Sequence, residues 1–62
     1  MTPERLIECR AILRWSRVDL AAVLGLNEKQ IRRWEEGSAI PSDIATWLER
    51  LVRFHERNPP PN

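Results

Sequence analysis

The stretch LAAVLGLNEKQIRRWEEG, Leu20 to Gly37, holds two short apolar patterns, each followed by a glycine. Leu20, Ala21, Val23 and Leu24 recur at the spacing of one helix face, and Ile31 and Trp34 at that of another. Gly25 directly follows the first pattern, as expected of a left-handed cap where only glycine escapes a Cβ penalty. Asn27 is predicted to cap the second helix, and Gln30, three residues on, to complete a capping box. Gly37 closes that helix. Two short helices joined by three or four residues containing glycine meet at about 90–120° as a helix-turn-helix. Leu20, Leu24, Leu26, Ile31 and Trp34 are the residues that would lock the angle.

The same punctuation continues outward. Upstream, Thr2-Pro3-Glu4 reads as an N-cap, a proline at the first helical position and an acidic first turn. Leu6, Cys9, Arg10 and Leu13 then form one stripe, and the helix should end near Arg14 or Trp15. Ser16 is a second N-cap, with Asp19 giving a weaker capping box. Downstream, Ser38 to Pro41 is a connector, because Pro41 cannot continue a helix from before it. Ser42 is predicted to cap a last helix that carries Ile44, Ala45, Trp47, Leu48, Leu51, Val52 and Phe54 and runs to about Glu56 or Arg57. The run NPPPN, 58–62, reads as a flexible polyproline tail. The expected fold is all-α, a bundle of four to five helices over residues 1–57, with no strand pattern and no internal repeat.

Composition narrows the function. A domain of 62 residues buries only about 60% of the surface its unfolded chain exposes, so a lone monomer is marginal. The net charge is +1 although 31% of residues are charged, so any electrostatic argument rests on where the charges sit. Cys9 is the only cysteine, which excludes an intramolecular disulfide and metal-ligand spacing, and its apolar neighbours predict a buried thiol. Charges interrupt the N-terminal residues at once, unlike a signal peptide. No apolar run approaches the roughly 20 residues that span a bilayer. A soluble, cytoplasmic, nucleoid-associated protein is expected. The single histidine, His55, has no catalytic companions, and there is no phosphate loop or carboxylate pair. We therefore expect no enzyme, no cofactor, no metal and no small-molecule ligand.

With Ile31 and Trp34 inward, the third helix presents Glu28, Lys29, Arg32, Arg33 and Glu36 outward, with Asn27 and Gln30 at its positive end. A helix fits the major groove of B-DNA with its N-terminal side chains at base edges. Arg and Lys bond guanine O6 and N7, Gln bonds adenine, and Glu accepts from cytosine N4. Glu28 would be costly opposite a phosphate, which argues for selectivity. Arg17 and the free N–H groups at the start of the second helix are placed to meet the phosphate backbone. The plainer alternative is a solvated face in which Glu28 and Arg32 form an i,i+4 pair.

These residues resemble the lambda-repressor-like (XRE, Cro-type) helix-turn-helix family. Leu6, Arg10, Ser16, LAAVLG at 20–25, Leu26, Ile31, RWEEG at 33–37 and Pro41 carry the resemblance, which spans Leu6 to Pro41. It implies operator binding that controls transcription, usually as a dimer. It implies a pairing of Arg10 with Glu35 and base-reading positions at Glu28, Lys29 and Arg33, with Arg32 beside them. It also implies phosphate-positioning roles for Ser16, Arg17, Asn27, Gln30 and Ser38. The chain departs from the family by Arg17 where glutamine is usual, by Arg14 where glycine is frequent, and by one long helix in place of a fourth and fifth.

That last helix carries more apolar surface than one side of a small core can take. A two-fold homodimer through Trp47, Leu51 and Phe54 is therefore expected, its two recognition helices about 34 Å apart. A second reading keeps the fold but makes it a protein-interaction module, antiactivator or antitoxin-like, given the low net charge and the glutamates on the third helix.

Overall fold

Capping chemistry sets the beginning of three of the four helices. In the computed structural model, residues 1–58 are described; residues 59–62, most of the polyproline tail, lie outside them. Helix α1 spans Pro3–Leu13, α2 Arg17–Leu24, α3 Glu28–Glu35 and α4 Ser42–Arg57, and the described residues contain no strand. Thr2 Oγ1 accepts from the Arg5 N–H at 3.1 Å, with Pro3 in the first turn where its missing N–H is harmless. Ser16 and Asp19 close both halves of a capping box, at 3.0 and 2.9 Å. Asn27 Oδ1 accepts from the Gln30 N–H at 3.1 Å, but the reciprocal bond from the Gln30 side chain is not made. The stronger box is thus the one built with aspartate. The start of α4 also corrects the sequence reading. Pro41, not Ser42, occupies the cap position, and no side chain caps this helix. The Pro41 carbonyl accepts from the Ala45 N–H at 3.0 Å, which draws Ser42 into the first turn.

Helices α1, α2 and α3 end by one device, a residue of positive φ followed by a 6→1 backbone bond. Gly25 has φ 71° and lets the Leu26 N–H reach the Ala21 carbonyl at 2.8 Å. Gly37 has φ 123°, with the Ser38 N–H on the Arg33 carbonyl at 2.9 Å. After α1 the residue is Arg14, at φ 58°, with the Trp15 N–H on the Arg10 carbonyl at 2.9 Å. The turn is made without glycine, and Arg14 is the only non-glycine at positive φ among the described residues. A left-handed conformation costs an L-residue about 1–2 kcal/mol. Arg14→Gly should therefore stabilise the protein by about 0.5–1 kcal/mol, part of the relief being offset by the freer unfolded chain. Urea titration would detect it as a raised midpoint with unchanged slope.

The core is one cluster: Leu6, Cys9 and Leu13 from α1, Leu20 and Ala21 from α2, Ile31 and Trp34 from α3, Leu48 and Val52 from α4. Helix α1 packs against both α3 and α4, and α2 packs against α3. Arg5 clasps the two outer elements together. Its Nε and Nη2 donate to the two oxygens of Glu49 on α4 at 2.9 and 2.7 Å, and its Nη1 donates to Glu8 at 2.6 Å. Among the described residues no helix is long and apolar enough to cross a membrane.

Candidate functional site

Two buried residues decide which way α3 faces. Ile31 is fully buried and Trp34 retains 7% exposure, so the helix is seated by this pair. Lys29, Arg32 and Arg33 consequently lie exposed, Glu36 follows at the exposed end, and Gln30 is half-buried. Lys29 and Arg33 take part in no ion pair among the described residues.

The remaining charges form a chain of ion pairs. Glu35 is its centre, with a side chain only 5% exposed. Arg10 donates to it twice, Nε to Oε2 at 2.7 Å and Nη2 to Oε1 at 3.2 Å, while Arg10 Nη1 reaches the Trp15 carbonyl at 3.3 Å. Arg17, at the first residue of α2, adds Nε to Glu35 Oε1 at 3.0 Å. Burial pushes the Glu35 carboxyl up, but the hydrogen bonds from Arg10 and Arg17 outweigh it and hold the group below the usual carboxylate range. Arg17 Nη1 then lies 3.8 Å from Glu28 Oε1, and Arg32 Nη2 donates to both Glu28 oxygens at 2.8 and 3.1 Å. The order Arg10, Glu35, Arg17, Glu28, Arg32 therefore links α1, α2 and α3 along one surface.

Several of the residues read from the sequence as facing DNA are engaged within the protein. Arg17 is drawn toward α3 by two glutamates rather than left free. Glu28 holds two arginines rather than presenting a bare carboxylate. The side-chain oxygens of Ser16 and Asn27 are occupied by their own helix caps. Ser38 is exposed just past α3, and its backbone N–H is spent on the Arg33 carbonyl. On α4, Trp47 and Phe54 are 37% and 63% exposed, whereas Leu51 is half-buried against the core and is only partly available to a partner. Trp47 also lines a shallow groove of about 350 Å³ with Val23, Leu24, Asp43 and Ile44. Val23 is 54% exposed there, so the apolar edge continues from α4 onto α2.

Sequence reasoning did not find the contacts of Arg17 with Glu35 and Glu28, or of Arg5 with Glu49. An arginine in place of an uncharged residue at the start of α2 was the one signal available for the first two. Among the described residues no group of three His, Cys, Asp or Glu side chains gathers as a metal site. No family model, no curated protein and no solved structure matches this chain.

Proposed function

We propose that this chain is a helix-turn-helix transcriptional regulator of the lambda-repressor-like type, a repressor or autoregulator that binds an inverted-repeat operator as a homodimer. In this reading α2 and α3 are the two helices of the motif and α3 enters the major groove. The observation that carries it is the seating of Ile31 and Trp34 in the core, which leaves Lys29, Arg32 and Arg33 together on the outside of α3. Arg33 and Lys29 are the unpaired cations nearest a base edge. Arg17, Arg32, Gln30 and Ser38 contribute to register on the phosphates, while Ser16 and Asn27 hold the helix ends that do so. Trp47 and Phe54, with the outer side of Leu51, supply the dimer contact. The protein works in the cytoplasm on the nucleoid, as a binding protein and not an enzyme.

Selection from random duplexes tests this directly. An inverted repeat should be enriched, and the complex should have the mass of two chains per duplex by light scattering. The logarithm of affinity should fall with that of salt concentration by about 0.9 for each phosphate neutralised. Arg33→Ala should cost about 1–3 kcal/mol and relax preference at one base position. A clean monomer at tens of micromolar with and without DNA would remove the dimer.

Two observations favour a second reading, a protein-interaction module that keeps the fold without reading DNA. Glu28 neutralises part of the basic face, while the Val23–Trp47 edge is apolar and exposed. Enrichment of no duplex in the selection would bring this reading forward.

A further inference from the structure

Glu28 sits at the first residue of α3, between Arg17 at the first residue of α2 and Arg32 one turn further along α3. Its side chain is 28% exposed, against 42% for Arg17 and 53% for Arg32. The carboxylate is therefore the more enclosed partner, and both arginines have solvent into which to turn. A carboxylate only accepts hydrogen bonds. On DNA it is repelled by phosphate and by the O6 and N7 acceptors of guanine, and it is welcomed by an exocyclic amino group such as cytosine N4.

We infer that Glu28 is a specificity-determining residue that keeps Arg32, and in part Arg17, off the phosphates unless a base-edge amino group takes the arginines' place at its carboxylate. The inference rests on the DNA-binding reading above and adds a mechanism to it. On a duplex offering cytosine at the facing position, the carboxylate exchanges arginine donors for the N4 amino group, and the released guanidinium groups turn to phosphate. On any other sequence the carboxylate keeps its arginines, and the face engages DNA with Lys29 and Arg33 alone. Discrimination thus comes as much from weak binding to wrong sites as from strong binding to the right one. Arg17 remains tethered by Glu35 in both cases, so Arg32 is the main group released.

The test is binding of the wild type and Glu28→Gln to a random-sequence duplex and to the duplex selected by the wild type, each over a range of salt. Gln retains the shape and removes the charge. On random sequence, Glu28→Gln should bind about five-fold more tightly at 0.15 M salt, with a log–log slope steeper by about 0.9 per chain. Its preference for the selected duplex should fall about ten-fold. The double variant Glu28→Gln/Arg32→Ala should lose the gain in slope, which assigns that gain to Arg32 rather than to net charge. A selective wild type beside a Glu28→Gln variant of unchanged slope and preference overturns the inference and leaves DNA binding standing. A wild type and variant that both ignore every duplex overturn the DNA reading itself, and this inference with it.

Discussion

Ile31→Ala is expected to remove about 2–5 kcal/mol, a large part of the stability of so small a protein. Ile31 has no exposed surface and comes from an eight-residue helix, too short to persist in water without tertiary packing. Truncating a buried isoleucine to alanine costs about 2–5 kcal/mol. The whole stability of a domain of 62 residues is only about 3–9 kcal/mol, at roughly 0.05–0.15 kcal/mol per residue. The loss is therefore a large part of the total. Ile31→Val removes one methyl group and should cost about 0.5–1.5 kcal/mol, leaving a cooperative transition. Far-UV circular dichroism through a urea titration separates the two variants. An alanine variant less than 1 kcal/mol below wild type would mean that α3 is not seated by this residue, and the exposure of Lys29 and Arg33 would lose its cause.

The second large effect concerns Arg10 and is tied to pH. Arg10→Met removes two of the three hydrogen bonds to a nearly buried Glu35 carboxylate and leaves Arg17 as the sole counter-charge. Breaking a fully buried pair costs about 3–5 kcal/mol; with Arg17 still in place, we expect about 2–3 kcal/mol at pH 7. The folded-state Glu35 carboxyl lies below its ordinary value of 4.5, so the stability it contributes is fully present above that value. It is lost as pH falls through the lower, folded-state value. The gap between wild type and Arg10→Met should therefore be widest at neutral pH and narrow below about 4.5. Glu49, lowered by its hydrogen bond from Arg5, makes the wild type acid-sensitive in the same direction. Denaturation midpoints from pH 7 down to pH 3 would show the convergence. A gap that stays constant across this range would mean that the Glu35 charge is not what Arg10 stabilises.

Much of the helical framework was legible because it is written in local chemistry. Thr2, Ser16 and Asn27 act within three residues of themselves, and Gly25 and Gly37 mark the only two helix ends where glycine supplies the positive φ. Ile31 and Trp34 were readable as inward-facing by their spacing. Ser42 was expected to cap α4, but the cap position falls to Pro41, whose carbonyl contribution no side-chain pattern reports. Arg14 shows the same limit. A left-handed arginine is invisible to propensity, since its backbone is imposed by α1 and α2 on either side.

The candidate site was legible only in part. That Lys29, Arg32 and Arg33 share a surface follows from helix spacing. That Arg17 joins them through Glu28 and Glu35 follows only from the packing of α2 on α3, which brings together groups 18 residues apart in the case of Arg17 and Glu35. The Arg10–Glu35 contact spans 25 residues and was reached through the family resemblance, not through any pattern within the chain.

The clasp between Arg5 and Glu49 also bears on how the molecule assembles. It joins residues 44 apart in sequence, whereas α2 and α3 are neighbours across a short turn. Closing a flexible loop of that length costs about 3 kcal/mol of chain entropy beyond a constant, from the (3/2)RT ln n relation. By the same relation a closure of about ten residues, as between α2 and α3, costs about 2 kcal/mol, roughly 1 kcal/mol less. Chain entropy thus favours the α2–α3 contacts over the α1–α4 contacts by a small margin, and burial of Leu6, Leu48 and Val52 in one core is what offsets the longer closure.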